Sequence, residues 1–337
     1  MLGLDTWQTV LFFIIVVLCI HYLSRVAISR LTTTETDTCE GFEASGPGSS
    51  LVETDTDSSV SKYSWLGNDD LYDDFYASVY NKIFQGEKVV QAEVAICLQN
   101  WKKDSPDTSQ MIVADLCSGP GIASCYLAKQ GVGTIVAIDK SPAMMRCAKN
   151  TVLPGTTLTE TQRQGIDWRL GDIIGPGIAA AAEFTHACML YFSIYYFRDL
   201  STVFRNLALW VKPGGDLAIE VVNKNKFLPI PDISNPWVAV SPQKYSKYRI
   251  TKASATFDKF DYETEFVLED PRAEFKETFR FKDGSVRRQK HVLWMPPISE
   301  IVTHATRSGW VYTKYCELDF IGFEYGYILF FKRNSAT

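Results

Sequence analysis

The 337-residue chain predicts an α/β fold built on a doubly wound, mostly parallel sheet. Three observations carry that expectation. Short apolar runs alternate with amphipathic helical stretches from Met111 to Val222. The first of these runs breaks into a glycine-bearing turn, CSGPG at 117–121, and another such turn, KPGG at 212–215, precedes the last. Hydrophobic residues make up 46% of the chain and charged residues 22%, which allows a sizeable core and excludes a wholly disordered or collagen-like chain.

In chain order, Trp7–Leu23 (WQTVLFFIIVVLCIHYL) comes first, with an unbroken apolar run from Val10 to Ile20. At about 1.5 Å per residue it spans roughly 26 Å as a helix, the short end of what a bilayer core needs. It predicts a single N-terminal transmembrane helix, with residues 1–31 as the anchor. A cleaved signal peptide and a buried N-terminal helix are the alternatives. The signal peptide would want a basic start, and Asp5 is the only charge before the run. Trp7 and Tyr22 sit where interfacial aromatics belong, and Arg25 and Arg30 place the following chain in the cytosol.

Residues 32–61 carry seven acids and no Lys or Arg, and are rich in Ser, Thr and Gly. Such a segment cannot bury enough apolar surface to offset its chain entropy, so it reads as a disordered acidic linker reaching on the order of 30 Å. The formal charge of −5 therefore resides there, and residues 62–337 balance to about neutral. No basic field for nucleic acid is expected. Eight scattered cysteines form no CxxC pair and no ligand-like spacing, so neither a metal nor a disulfide framework is expected, and reduced thiols fit a cytosolic domain.

In the domain itself, LYDDFYASVYNKIF (71–84) reads as a helix with Tyr72, Tyr76 and Tyr80 on one face. MIVADL (111–116) reads as a buried parallel strand. Gly119 and Gly121 let the backbone turn tightly after it and approach a ligand, and a helix follows over Ile122–Gln130. TIVAID ends a second strand at Asp139, 24 residues after Asp115, where a ribose diol can be bound. Ser141 and Pro142 open the next helix as cap and first-turn residue. IDWRLGDI gives a third strand ending at Gly171–Asp172, THACMLYFS a fourth, Leu200–Leu209 a helix and LAIEVV a fifth strand. A helix over Ser299–Ser308 and two strands, VYTKYCEL and YGYILFFKR, close the chain.

DLCSGPG, the acid ending the second strand, GD after the third and KPGG before the fifth resemble the class I, Rossmann-like S-adenosylmethionine-dependent methyltransferases, over roughly Leu71–Arg333. The resemblance implies a seven-stranded sheet whose antiparallel last strand lies beside the fifth. It implies S-adenosylmethionine as cofactor, with Asp115, Cys117, Ser118, Gly119, Pro120 and Gly121 facing its methionine part. By the same analogy Asp139, with Lys140 beside it, would hold the ribose. Met144 would pack near the adenine, Asp172 would receive its amino group, and Gly171 and Ile173 beside it would belong to the cofactor site. Tyr72, Tyr76, Tyr80 and Tyr191 would lie across the cofactor, although the three helix tyrosines also read as packing on the sheet edge. Cys117 stands where the family usually has glycine. A nicotinamide dehydrogenase, the natural competitor, would need a third glycine at Ser124 and gives KPGG no role.

Methyl transfer needs donor and acceptor oriented, and a general base only where the acceptor carries a proton at the attacking atom. The acceptor pocket belongs outside the carboxyl ends of the strands, where Tyr191, Ser193, Tyr195 and Tyr196 fall, and Tyr191 is a catalytic candidate. Residues 224–297 form an antiparallel β insert, with a hairpin turn at Asp283–Gly284. Its His291 is the candidate base, since histidine titrates near neutral pH, and a structural histidine is the alternative. Arg287, Arg288 and Lys290 read either as contacts for an anionic substrate or as a solvated hairpin face. No Asn-Pro-Pro-Tyr-like motif follows the fourth strand and no Pro-Cys pair occurs, which disfavours amino-group methylation of adenine or glutamine and cytosine-C5 chemistry. The expected function is a membrane-tethered methyltransferase acting on a small-molecule or lipid-derived acceptor. A protein methyltransferase and a non-catalytic cofactor-binding scaffold stand as alternatives.

Overall fold

A computed structural model of the protein describes residues 65–84, 87–231 and 246–335. The predicted anchor and acidic linker lie outside the described residues, and among those described no helix is long and apolar enough to cross a membrane.

Helices α1 (Asp74–Phe84) and α2 (Glu87–Trp101) precede the sheet. The sheet half then runs β1 (Ile112–Leu116), α3 (Ile122–Lys129), β2 (Thr134–Asp139), α4 (Pro142–Cys147), α5 (Glu160–Gln164), β3 (Ile166–Leu170), β4 (Phe184–Met189), α6 (Leu200–Trp210) and β5 (Val211–Val222). After the insert come α7 (Ile298–Arg307), β10 (Trp310–Glu317) and β11 (Gly326–Arg333). Seven strands lie in the order β10-β11-β5-β4-β1-β2-β3. Strands β1 to β5 pair in parallel, and β11 runs antiparallel between β5 and β10, as the resemblance implies.

The continuous apolar runs are explained by helices on both faces. Ala114, Leu116, Val136 and Ile138 join one core with Val203, Phe204 and Leu207 of α6. Their neighbours Val113, Ile135 and Ala137 face the other way, onto Val94, Leu98 and Leu127 of α2 and α3. Ser141 caps α4 by accepting from the Met144 amide, with Pro142 in the first turn.

Three boundaries differ from expectation. Helix α1 begins at Asp74, because the Asp73 carboxylate takes the Tyr76 amide at 2.9 Å, so Tyr72 precedes the helix. The fourth strand stops at Met189, since Tyr191 and Phe192 adopt left-handed backbone (φ 54° and 61°). The KPGG turn lies within β5, where its pairing with β4 shifts register.

The insert folds as a separate four-stranded antiparallel sheet: β6 (Lys252–Thr256), β7 (Phe260–Glu269), β8 (Arg272–Phe281) and β9 (Val286–Trp294). KASATFDKFDYETEFVL thus forms two strands, the chain turning back between Thr256 and Phe260. Gly284, at φ 85°, makes the predicted β8–β9 turn. Phe260, Tyr262 and Phe279 pack on Tyr76, Val79 and Ile83 of α1 and on Met144 of α4, so α1 is held between the insert and the nucleotide-type half. The outer edge of β9 is covered by the entering chain. The Leu66 amide donates to the Arg288 carbonyl, the Lys290 amide donates to Leu66, and the Asn68 side chain both donates to and accepts from the Val292 backbone at 2.8 Å.

Candidate active site

A cleft of about 1080 Å³ opens outside the carboxyl ends of β1, β2 and β4. At one end the 117–121 loop turns through left-handed backbone at Cys117, Gly119 and Gly121. The Asp139 carboxylate is oriented by two amides, Gly119 to Oδ2 and Ser141 to Oδ1, both at 2.8 Å. One donor on each oxygen leaves further lone pairs for a ligand's hydroxyls. Burial raises its pKa, against the lowering effect of those amides. Asp115 is buried and accepts from the Ser124 hydroxyl at 2.5 Å, and burial pushes it up to about 6.

These residues fit S-adenosylmethionine. Among the described residues the buried Ser118 hydroxyl has no hydrogen-bond partner, and space is open where a Cβ on Gly119 would stand. Loop and carboxylate therefore present unfilled polar capacity to the cleft, as a nucleoside bearing an amino acid requires.

Of the predicted cofactor residues, Tyr72, Tyr80, Asp115, Cys117, Ser118, Gly119, Pro120, Asp139, Lys140, Met144, Gly171, Asp172, Ile173 and Tyr191 line this cleft. Two do not. Gly121 packs the loop onto β3, where a Cβ would lie 2.5 Å from the Trp168 ring. Tyr76 is fully buried and turns its hydroxyl to Glu277 at 2.8 Å. Lys140 reaches Asp69 at 3.2 Å.

At the other end, a hydrogen-bonded chain leads from the cleft into the insert. The Tyr72 hydroxyl donates to that of Tyr196 at 2.7 Å, and the Tyr196 hydroxyl lies 2.5 Å from His291 Nδ1. His291 Nε2 lies 2.7 Å from Glu277. A carboxylate only accepts, so Nε2 carries a proton, and whenever the ring holds only that proton Nδ1 is left to accept from Tyr196. Tyr76, Tyr262 and Gln289 also donate to Glu277. Burial raises the Glu277 carboxyl, but the adjacent His291 and these donors outweigh it and hold it below its usual range. Burial raises both Tyr72 and Tyr196, so neither ionises readily.

His291 thus stands where a base is useful, lining the cleft. Tyr191 lines it as well, but its ring sits edge-on to Tyr80 and Phe84 and its amide donates to Glu220, while the path to His291 runs through Tyr196 and Tyr72. Arg287, Arg288 and Lys290 do not line the cleft. Arg287 pairs with Asp73 at 2.6 Å and covers the Phe75 ring, and Lys290 pairs with Glu274. Glu277 escaped sequence reasoning. Its signal was an acid in register with Ala273, Phe275 and Phe279, the inward side of β8.

Residues 113–215 match the family model described as a methyltransferase domain. No curated protein matches the chain. Among solved structures, an S-adenosylmethionine-dependent methyltransferase from Clostridium acetobutylicum ATCC 824 is 15% identical with a TM-score of 0.54, over 77% of this chain and 98% of that one. The sugar N-methyltransferase KedS8 from Streptoalloteichus sp ATCC 53650 is 17% identical with a TM-score of 0.52, over 87% and 100%. S-adenosylmethionine-bound CalS10, an amino pentose methyltransferase from Micromonospora echinaspora, is 14% identical with a TM-score of 0.51, over 73% and 92%. At these identities the likeness is one of fold. Residues 113–215 thus match a methyltransferase domain, the chain has the fold of the S-adenosylmethionine-dependent methyltransferases, and S-adenosylmethionine is its cofactor.

Proposed function

We propose that the protein transfers a methyl group from S-adenosylmethionine to a small molecule carrying a proton at the attacking atom. One observation carries this reading: a single cleft joins the Cys117–Pro120 loop and Asp139 to Tyr72, Tyr196 and His291. When bound, the cofactor supplies an electrophilic methyl group on a sulfonium. Asp139 holds the ribose hydroxyls, and Ser118 and the Gly119 backbone line the methionine side. Tyr72 and Tyr196 pass the acceptor's proton inward to His291 Nδ1, and Glu277 balances the imidazolium that forms. Relatives of this fold described as acting on a sugar and an amino pentose support a small-molecule acceptor. The reading retains Trp7–Leu23 as a single-pass anchor with the site on the cytosolic side, supported by the apolar run and by Arg25 and Arg30.

The test uses the full-length protein. S-adenosylhomocysteine at about a hundred times its Kd is expected to stabilise it by about 2.7 kcal/mol, read as a rise in Tm. His291→Asn is expected to keep that rise and to lose roughly 10²–10⁴-fold of labelled-methyl transfer into a native extract. No rise with either S-adenosylhomocysteine or S-adenosylmethionine would sink the enzyme reading. Undiminished transfer by His291→Asn would remove the proton path.

A further inference from the structure

We infer, resting on the methyltransferase reading above, that the acceptor is an uncharged phenol on an apolar body, its hydroxyl placed on the Tyr72–Tyr196 end of the path to His291. At about 1080 Å³ the cleft exceeds the roughly 300–1,000 Å³ of a single small-ligand site, so it has room for cofactor and acceptor together. Beyond the cofactor loop its wall is apolar. Phe84, Phe192, Phe227, Phe266, Phe275 and Leu293 line it, brought together from α1, the segment after β4, the segment after β5 and the inner face of the insert.

The charges of the described residues disfavour an anionic acceptor. The lysines lining the cleft are Lys88, Lys129 and Lys140, which belong to α2, α3 and the end of β2. Among the described residues no cation of the insert lines it, whereas Glu93, Asp115, Asp139 and Asp172 do. Arg249, beside the apolar wall, is set against the Phe227 and Phe266 rings and donates to the Phe227 carbonyl. Among the described residues, a phosphate or diphosphate head at the proton path finds no counter-ion on the insert, and buried charge without one is costly.

An ammonium fits poorly for a different reason. It brings three donors, whereas the path presents two tyrosine hydroxyls. Glu277, the nearby anion, is already bound by four donors and does not line the cleft. A cation would also be repelled by the cofactor's sulfonium. A phenol brings one donor and a flat apolar body suited to aromatic walls. Its hydroxyl, with a pKa of about 10, gives up its proton far more readily than an aliphatic hydroxyl does.

The step balances. The phenolic oxygen forms the bond to the methyl carbon, and the carbon–sulfur bond breaks with its electron pair on sulfur. The phenolic proton ends on His291 Nδ1 by way of the tyrosine hydroxyls.

Binding can be read without turnover by calorimetry on the full-length protein saturated with S-adenosylhomocysteine. 4-Butylphenol is expected to bind at least about tenfold tighter than 4-butylphenyl phosphate, 4-butylbenzylamine or UDP-glucose. Tyr72→Phe, which keeps the ring, is expected to weaken phenol binding about tenfold. Phe275→Asp is expected to do the same by charging the wall. Equal or tighter binding of the phosphate, the amine or the sugar nucleotide overturns the phenol assignment, as does phenol binding that ignores Tyr72→Phe. Absence of S-adenosylhomocysteine binding overturns the methyltransferase reading itself, so the two failures are distinguishable.

Discussion

Four donors converge on the Glu277 carboxylate, and one of them, the His291 Nε2–H, fixes which nitrogen of the imidazole is left to accept a proton. Glu277→Gln replaces one acceptor oxygen by a donor and withdraws the negative charge. We expect kcat to fall about 10–100-fold while KM for the cofactor stays as it was, since the cofactor loop is untouched. Steady-state kinetics checks this, and an equal change in both would mark Glu277 as merely structural. The neighbouring residues show which parts of the site were legible. Asp139 and the Cys117–Pro120 loop could be placed because they lie within one strand–turn–helix–strand unit. Tyr196 and His291 meet across 95 positions, and Tyr76 and Glu277 across 201, so no local pattern announces either pair.

Strand β5 places an acid where its pattern calls for an apolar residue. Glu220, within LAIEVV, is buried, accepts from the Tyr191 amide and holds the left-handed turn that ends β4 early. Burial pushes its pKa up to about 7, against the lowering effect of bonds from Glu93 and the Tyr191 and Phe192 amides. A raised carboxyl stabilises the fold fully below its unfolded value and loses that contribution as pH rises through about 7. His186 runs the other way: burial lowers it to about 4, so its part of the stability is lost as pH falls from about 6.5 toward 4. Comparing wild type with Glu220→Gln isolates the first effect. The variant is expected to lose less stability between about pH 5 and 8, by up to roughly 3 kcal/mol, in denaturant titrations. Parallel curves would show that Glu220 does not titrate in that range. The strand order could be read from alternating runs, whereas the end of β4 could not, because the group that ends it lies on another strand.

At the scale of the whole molecule, net charge proved a poor guide to the substrate. The −5 belongs to residues 32–61, while the cleft's acids and lysines are sorted by position, with apolar surface where the acceptor would lie. An apolar phenol is a substrate that partitions into bilayers, which gives the expected anchor a purpose. Carbonate extraction of membranes carrying the full-length protein is expected to leave it in the pellet, and its release to the supernatant would refute a spanning helix. The sheet, the antiparallel fold of the insert and the strand–turn–helix–strand unit lining one end of the cleft were thus readable from sequence. The proton path was not, because it exists only once β8, β9, Tyr72 and the turn after β4 have been brought together.

Leu66 and Asn68 complete the edge of β9 on either side of His291, giving Lys290 and Val292 their partners. A chain starting just before Trp65 would keep that edge intact, and one starting at Asp69 would strip it at the strand that bears His291, the proposed base. The start of the folded domain is therefore dictated by chemistry before it is dictated by the core.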